Sequence, residues 1–319
     1  MPRGIGGARH GAVMDPATTT LLTTAQLTRR GCDRNAQHRL VESGRLARIA
    51  PAVFVEMDDW NLLDDRGRAV VRTRGVALTR PRPLVVSHLT AALLHGLPIV
   101  GGLPPRVDSL RSDVSGGRSE ASIRAHRSGS LPATVEIMGI QVTALPRTLI
   151  DVALTSPLVV AVPMLDHSLH TASCTLDELR DEWAPRRTHP SARRAGAGLD
   201  LATPLSESPL ESILQVRLFE GGWVRPRQQV RLPLLRGGNA FVDCLFDDQR
   251  LVVEADGRFK YGPVAGLLTG DELWREKQRE DDLREQGFDF RRPTWDRVWR
   301  RAAFESMMQG TRAPRVDRG

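Results

Sequence analysis

The sequence contains very little lysine, tyrosine and cysteine. Among its 319 residues, Lys260 and Lys277 are the only lysines and Tyr261 is the only tyrosine. The three cysteines lie far apart and form no C-x-x-C pair, which argues against a disulfide framework and a zinc ribbon. The longest apolar run, 158–165, is too short for a membrane span and contains a proline. The N-terminus shows no apolar segment of a secretory signal, so we expect a cytoplasmic protein with no membrane partner.

Arginine dominates the charge of the chain. The 45 basic residues exceed the 38 acidic ones and give a formal net charge of +7. Such an excess favours a polyanionic partner, and DNA is the one we expect. The chain is 40% hydrophobic and 26% charged, so it can bury a core, and its length predicts two or three domains. Both lysines fall in one stretch, either by chance or because that stretch needs a primary amine.

The first part of the chain has the pattern of two short helices and a β-wing. Residues 1–20 are predicted to be a flexible tail. Over 21–80, a threonine can cap a helix that ends at Gly31, and Asp33 can cap a second helix that ends at Gly44. Two short strands around a proline turn follow. This order predicts a winged helix-turn-helix.

The second of these helices opens with polar and basic side chains. On the helix-turn-helix interpretation they could meet base edges or phosphates of DNA. The same pattern also fits a helix face that is simply solvated. The candidate DNA-binding residues are Arg34, Asn35, Gln37, His38 and Arg39.

The middle of the chain alternates apolar runs with polar loops. We predict an α/β region over 81–183, followed by a linker or short basic helix over 184–206. His88 and His95 lie seven residues apart and so share a helix face. A metal or catalytic pair is one interpretation, but no third ligand has suitable spacing, and buried or capping histidines are favoured.

The C-terminal region, 207–304, has the clearest order of elements. Its patterns predict a helix, three strands, a charged helix, a strand and a further helix, which make a small mixed sheet flanked by helices. Residues 305–319 are predicted to be a frayed tail.

Four carboxylates are expected to converge in this C-terminal sheet. Asp243 lies in the middle of an apolar strand, where a charge is costly unless it is paired or bound to a metal. Glu254 ends the next strand, Asp256 follows it with the same side-chain direction, and Glu211 lies on the preceding helix. Such a cluster suits Mg²⁺, a hard cation that prefers oxygen ligands.

The order of these motifs resembles the PD-(D/E)XK nuclease superfamily, and within it a branch related to very-short-patch-repair endonucleases. The resemblance covers about residues 206–300. It implies a restriction-endonuclease-like fold and the hydrolysis of phosphodiester bonds. The segments that carry it are SPLES (208–212), FVDCLF (241–246), VVEADGRFKYG (252–262), EKQREDDLREQGF (276–288) and RRPTW (291–295).

The N-terminal half separately resembles the AbiEi-type antitoxins. The two resemblances together imply a multidomain α+β or α/β protein, and the antitoxin likeness raises a cognate toxin as a candidate partner. Oligomeric state is left open. The segments behind this second resemblance are TTAQLTRRG, SGRLARIAPAVFV, VVSHLTAALLHGLP and TALPRTLIDVA.

The nuclease resemblance also implies roles for individual residues. Asp243 and Glu254 would hold Mg²⁺, with Mn²⁺ as a substitute and Asp256 as a further candidate ligand. Glu211 would be a third carboxylate that positions the metal or its water. Two purely structural roles remain open as alternatives to metal binding: Glu211 also completes a capping box that Ser208 begins, and Asp256 begins a common turn dipeptide.

The sequence departs from the superfamily pattern at the expected lysine. Two positions after Glu254, where E-x-K would place it, the chain has Asp256. The amine would then have to come from Lys260 or from Lys277 on the charged helix.

The same charged helix carries two arginines that could face a phosphate. They are Arg279 and Arg284. Their charges could instead solvate the helix surface.

Two classes of function therefore remain. The first is a Mg²⁺-dependent endonuclease that its winged helix guides to DNA. The second is a non-catalytic DNA-binding regulator of antitoxin or repressor type. The carboxylates separate them, because a protein that only binds DNA gains nothing from negative charges where phosphates would lie.

Overall fold

The computed structural model is a mixed α and β structure with several sheets, in agreement with the predicted class. The chain divides after Thr148 into two compact units, whereas the sequence predicts boundaries near residues 80 and 183. Within the described residues, no helix is both long and apolar enough to cross a membrane. The residues that the structure describes are 14–80, 84–112, 121–256 and 270–316.

Two short helices and a small sheet open the first unit. Thr23 caps the first helix in a reciprocal box with Gln26, and the Asp33 carboxylate caps the second. Gly31 and Gly44 follow the helices with positive φ values of 79° and 69°, which glycine adopts at little cost. The predicted helices and strands are therefore confirmed here. They are α1 (Thr24–Arg29), α2 (Arg34–Glu42), β2 (Leu46–Ala50) and β3 (Val53–Glu56), and an added strand β1 (Leu22–Thr23) gives the antiparallel order β1-β3-β2.

The predicted tail over 1–20 is wrong for its last seven residues. The Arg74 guanidinium donates hydrogen bonds to the carbonyl oxygens of Pro16 and Thr19, and Thr19 is buried. Residues 14–20 are therefore held by a side chain that lies far along the sequence, while 1–13 lie outside the described residues.

The rest of the first unit packs helices around a five-stranded sheet. One hydrophobic core contains Val53 of the small three-stranded sheet together with Val86, Leu93 and Val142 of the five-stranded sheet and its helix. The two sheets of this unit therefore share a core. The sheet order is β6-β5-β4-β8-β7. The elements are α3 (Met57–Leu62), α4 (Asp65–Leu78), β4 (Val85–Val86), α5 (His88–Leu94), β5 (Val107–Arg111), β6 (Ile123–Arg127), β7 (Thr134–Ile137) and β8 (Ile140–Thr143), and α6 (Leu145–Thr155) contains the boundary between the units.

Helices form the first part of the second unit. For the segment 184–206 the sequence left a linker or a short helix open; the structure has a packed helix, with Ala195 and Leu199 buried. α7 contacts both α9 and α10. The elements are α7 (Leu158–His170), α8 (Leu176–Trp183), a 3-10 turn (Ala184–Arg186), α9 (Ala192–Leu201) and α10 (Pro209–Glu220).

A four-stranded mixed sheet follows, in the element order that the sequence predicts. Its strand order is β12-β11-β10-β9, in which β11 and β12 are parallel and the other pairs are antiparallel. Leu283 of the charged helix packs on Val242 and Val252 of the sheet. The elements are β9 (Arg227–Pro233), β10 (Asn239–Phe246), β11 (Leu251–Val253), α11 (Gly270–Glu285), β12 (Asp289–Arg291), α12 (Trp295–Trp299) and α13 (Arg301–Met308).

The predicted C-terminal tail, 305–319, is wrong as far as residue 316. Met308 is buried on α13. The Val224 N–H donates to the Pro314 oxygen and the Val316 N–H donates to the Gly222 oxygen, both at 2.8 Å. Backbone pairing with a distant segment therefore holds residues that look polar and frayed in the sequence; 317–319 lie outside the described residues.

Candidate functional site

The sheet of the second unit brings Asp243 and Glu254 side by side. β10 and β11 are antiparallel, and the pair at this end of the ladder is Cys244 opposite Val253. Asp243 and Glu254 come next on the two strands, one step beyond that pair. The Asp243 Oδ2 atom accepts a hydrogen bond from the Ala255 N–H at 2.8 Å. The Asp243 carboxyl group therefore lies at the end of β11, next to Glu254.

The pKa of Asp243 is raised to about 7. Burial is the main cause, because a carboxylate that loses water is less stable in its charged form. The negative charges of Glu211 and Glu254 raise the pKa further, against smaller opposing effects of the Ala255 N–H and the Arg279 guanidinium. Glu211, Asp243 and Glu254 are therefore within electrostatic reach of one another.

Glu211 is held firmly at the start of α10. Its N–H donates to the Ser208 Oγ at 3.3 Å, and the Ser208 hydroxyl donates to Oε1 at 2.7 Å. Oε2 accepts the Glu207 N–H at 3.0 Å and the Gln229 amide at 3.2 Å. The reciprocal capping box that the sequence left open is therefore only half formed: Ser208 caps the helix, but the Glu211 carboxylate bonds the Glu207 N–H and not the Ser208 N–H. Glu211 also acts on Asp243 through its charge.

Two arginines neutralise Glu254, whose side chain is only 12% exposed. The Arg279 Nη2 atom from α11 lies 3.4 Å from Oε1. The Arg292 Nη2 atom, from the residue after β12, lies 2.7 Å from Oε2. Arg292 also contacts the Glu276 Oε1 atom at 3.0 Å and the Glu280 Oε2 atom at 3.2 Å. One end of the sheet therefore carries both carboxylates and guanidinium groups.

The remaining predicted metal-binding and catalytic residues are Asp256, Lys277 and Lys260. Asp256 continues the parallel pairing beyond β11, with its N–H on the Pro293 oxygen at 3.1 Å, and it is not among the groups that shift the pKa of Asp243. Lys277 is exposed on α11 and makes no ion pair with any residue that the structure describes. Lys260 lies outside the described residues.

Arg284 also does not reach the carboxylates of Asp243 and Glu254. Its guanidinium donates to Glu280 at 2.7 and 2.9 Å along the same helix and lies over the Phe290 ring, 5.1 Å from the ring centroid. This arrangement matches the i,i+4 surface pair that the sequence left open, not a group aimed at a phosphate.

The donor set suits a hard divalent cation held by two carboxylates rather than three. No group of three or more His, Cys, Asp or Glu side chains that could hold a metal occurs among the described residues. Mg²⁺ commonly takes one or two carboxylates and completes its shell with water and phosphate oxygens. Asp243 and Glu254 can supply these two, and a cation would offset the crowded negative charge around Asp243. Glu211 fits a direct ligand less well, because its oxygens already accept three hydrogen bonds.

The α2 surface of the first unit carries most of the predicted DNA-binding residues. Arg34, Asn35, His38 and Arg39 are exposed, and the His38 Nδ1 atom lies 3.2 Å from a carboxylate oxygen of Glu42. A cavity of about 490 Å³ between α2 and the β2–β3 hairpin is lined by Thr24, Arg34, Gln37, His38, Val41, Arg48, Ala52 and Phe54.

Gln37 is a correction to the predicted DNA surface. Its side chain is buried, with 4% exposed. The Nε2 amide donates to the Cys32 carbonyl at 2.9 Å and lies 3.3 Å from the Thr28 hydroxyl oxygen. Gln37 therefore ties α2 to α1 from inside and cannot contact a base edge in this conformation.

The two histidines of the middle region are bonded within the protein. The His88 Nδ1 atom lies 2.8 Å from the Ser87 Oγ atom, and the His95 Nε2 atom lies 2.8 Å from the Thr143 oxygen. The His88 ring stacks on His126 with 3.5 Å between centroids. Burial, helped by nearby positive charge, lowers the pKa of His88 to about 2, so this histidine is neutral at physiological pH.

Sequence reasoning missed Arg292, Glu276 and Gln229. The segment RRPTW (291–295) is part of the family resemblance, but its local sequence contains no signal that links Arg292 to Glu254. The signal that could have found Arg292 is the parallel pairing of β11 with β12, which sets Val253 beside Arg291. A strand–helix–strand order permits that pairing but does not fix the register.

Comparison with known proteins gives no family. No family model and no curated protein matches the chain. Among solved structures, the RV2827C protein from Mycobacterium tuberculosis is similar at 15% identity and a TM-score of 0.39, over 67% of this chain and 83% of that one. A likeness at this level carries no argument about fold or function.

Proposed function

We propose that this protein is a cytoplasmic, Mg²⁺-dependent endonuclease that hydrolyses phosphodiester bonds of DNA, with Mn²⁺ as a substitute. The observation that carries the proposal is the placement of Asp243 beside Glu254, with guanidinium groups on the same carboxylate. Carboxylates suit a divalent cation and guanidinium groups suit a phosphodiester. The exposed α2 face, as part of a winged helix-turn-helix, would hold the DNA, and 207–304 would form a nuclease domain of PD-(D/E)XK type.

Each side chain has a role that follows from its surroundings. Asp243 and Glu254 would hold the metal through their oxygens. When bound, a divalent cation would supply a more acidic water and a positive charge close to the phosphorus. Arg279 would neutralise a non-bridging oxygen of the phosphodiester. Glu211, fixed by Ser208 and Gln229, would keep its negative charge close to Asp243.

The test is a cleavage assay on supercoiled and single-stranded DNA with Mg²⁺ or Mn²⁺. Asp243→Ala or Glu254→Ala should lower cleavage at least 100-fold, because each removes a metal ligand. DNA binding measured in EDTA should stay near wild type, since α2 is untouched. Asp248→Ala, at an exposed turn in the same unit, is the matched control and should cleave normally. Equal cleavage by the Asp243 and control variants would refute the assignment.

A second candidate is the non-catalytic DNA-binding regulator. It is favoured by the full neutralisation of Glu254 by Arg279 and Arg292, since a protein that never binds metal needs that charge cancelled. Under this alternative a cognate toxin is the expected partner. Salt-sensitive DNA binding by wild type, with no cleavage under either metal, would select it.

A further inference from the structure

Among the residues that the structure describes, arginines and not lysines supply the positive charge beside the carboxylates. Asp256 occupies the position of the usual lysine, and the Lys277 amine is solvent-exposed without an ion pair to a described residue. Phosphodiester hydrolysis nevertheless needs a cation near the phosphate, because negative charge grows there in the transition state.

Arg292 reaches Glu254 because β12 runs parallel to β11. Val253 lies beside Arg291, and the Glu254 N–H donates to the Arg291 oxygen at 3.0 Å. The next residue on the second strand, Arg292, is therefore carried to Glu254. Its Nη2 atom lies 2.7 Å from Oε2. The contact is therefore a consequence of the strand pairing, which fixes where the Arg292 backbone lies.

The Arg292 guanidinium has three carboxylate neighbours but does not use all of its donors on them. Glu254, Glu276 and Glu280 all lie within 3.2 Å. The hydrogen bond with good geometry goes to Glu276 at 3.0 Å, while the contact with Glu254 is close but poorly aligned. The Arg292 Nε atom is buried and has no hydrogen-bond partner among the described residues. A buried donor without a partner is costly, so this guanidinium has bonding capacity left for an oxyanion.

We propose that Arg292 is a second phosphate-binding cation of this site, beside Arg279, and does the work of the missing lysine. This inference rests on the proposed function. Without metal, Arg292 neutralises Glu254; when a divalent cation takes Glu254, the guanidinium keeps Glu276 and turns its remaining donors to the phosphodiester oxygens. Arginine stays protonated at every working pH, so Arg292 stabilises charge and accepts no proton.

Metal affinity and cleavage should respond to Arg292 in opposite directions. In Arg292→Ala the metal competes for Glu254 only with the more distant Arg279, so the Mn²⁺ dissociation constant, measured by calorimetry on the whole chain without DNA, should fall about tenfold. Cleavage at saturating Mn²⁺ should fall at least 100-fold, because the cation for the phosphate is lost. A merely structural role would weaken both metal binding and cleavage.

Three further variants make the experiment decisive. Arg292→Gln removes the charge but keeps a side chain of similar length. It should also bind Mn²⁺ more tightly and cleave more slowly, and it replaces the alanine variant if that variant folds poorly. Arg292→Lys keeps the charge, so Mn²⁺ affinity should stay near wild type and part of the cleavage should return. Arg300→Ala removes an exposed arginine of the same unit that pairs with Asp296, and it should change neither quantity.

The outcomes separate this inference from the function on which it rests. A wild-type chain that binds no Mn²⁺ and cleaves no DNA overturns both. A wild-type chain that binds Mn²⁺ and cleaves, with an Arg292→Gln variant that cleaves equally or binds Mn²⁺ more weakly, overturns the role of Arg292 alone.

Discussion

Asp166 shows how burial changes a single ionisable residue. Its side chain on α7 is 1% exposed, and Oδ1 accepts the Thr203 N–H at 2.9 Å. Oδ2 makes no hydrogen bond of good geometry. Burial raises the pKa of Asp166 to about 6, and the nearby Thr203, Ser212 and Ser206 groups and the Arg225 charge offset this effect only in part. The neutral carboxyl group is therefore the form that the fold prefers.

This preference predicts a pH-dependent stability. The folded pKa of about 6 lies above the ordinary value of 3.8, so the stability that the neutral form contributes is complete below pH 4 and is lost as the pH rises through 6. Asp166→Asn keeps the Oδ1 acceptor without the charge. It should raise the free energy of unfolding by about 3 kcal/mol at pH 8 and by almost nothing at pH 4.

Denaturant unfolding between pH 4 and pH 8 measures this difference. The control is Asp200→Asn, which changes an exposed aspartate of the same unit and should stay near wild type. A gap between Asp166→Asn and wild type that does not change with pH would contradict the role of burial.

Single residues also show the limit of local reasoning. Arg34, Asn35, Gln37, His38 and Arg39 look alike as polar residues at a helix start, yet only Gln37 turns inward. The 3.6-residue period assigns each residue to a face, but it does not say which face another helix will cover. The four-residue connection between α1 and α2, 30–33, determines which face is covered, and the Cys32 carbonyl is the acceptor for Gln37.

At the scale of elements, Trp223 joins the end of α10 to the C-terminal segment. Its ring is 4% exposed, meets the Phe304 ring edge-on at 5.9 Å, and lies 4.7 Å from the Arg315 guanidinium carbon. Gly221 permits this packing, because a Cβ atom there would overlap Cζ3 and Cε3 of the indole. A glycine at the end of a helix is here required by side-chain packing rather than by its own backbone angle.

Gly221→Ala should therefore destabilise the second unit and loosen the C-terminal segment. We expect a loss of about 2 kcal/mol in the free energy of unfolding, because overpacking a filled site forces the ring to move. Trypsin should also cleave faster at Arg312 and Arg315. Gly129→Ala is the control, since a Cβ there has nothing within 4 Å. Equal stability and equal cleavage of the two variants would contradict the prediction, because the Trp223 ring would then be able to move away from an added Cβ atom at no cost.

The sheet of the second unit places the candidate site through one non-local pairing. β11 and β12 are separated in sequence by α11, yet Val252 lies beside Phe290 and Val253 beside Arg291. The burial of Phe290 and Leu283 in one core stabilises this pairing. Arg292 reaches Glu254 as a consequence, so the electrostatics of the site depend on how the apolar core packs.

Over the whole chain, the net charge of +7 favours electrostatic attraction to a polyanion such as DNA, and this attraction does not depend on the base sequence. Each phosphate contact releases counterions, so the logarithm of the affinity falls with the logarithm of salt at a slope near −0.9 per contact. If α2 lies on DNA, Arg34→Ala with Arg39→Ala should reduce this slope by about 2 and weaken binding at least tenfold at 0.1 M salt.

Fluorescence anisotropy with a labelled duplex at several salt concentrations tests this prediction. The control, Arg297→Ala with Arg300→Ala, removes the same charge from two exposed positions, one on α12 and one directly after it. If both double variants change the isotherm equally, net charge alone explains binding and α2 has no special part in it.

Short-range interactions along the chain are enough to predict the local helices and strands, and composition is enough to predict the sign of the net charge. The box of Thr23 with Gln26, the Asp33 cap and the Ser208 cap are set by neighbours within four residues, and the helices and strands beside them appear as predicted. Three features depend on contacts between distant parts of the chain: the burial of Gln37, the backbone pairing that holds 305–316, and the contact of Arg292 with Glu254. The physical reason is that each of these depends on which distant surface removes water from a group, and spacing along a chain carries no information about that surface.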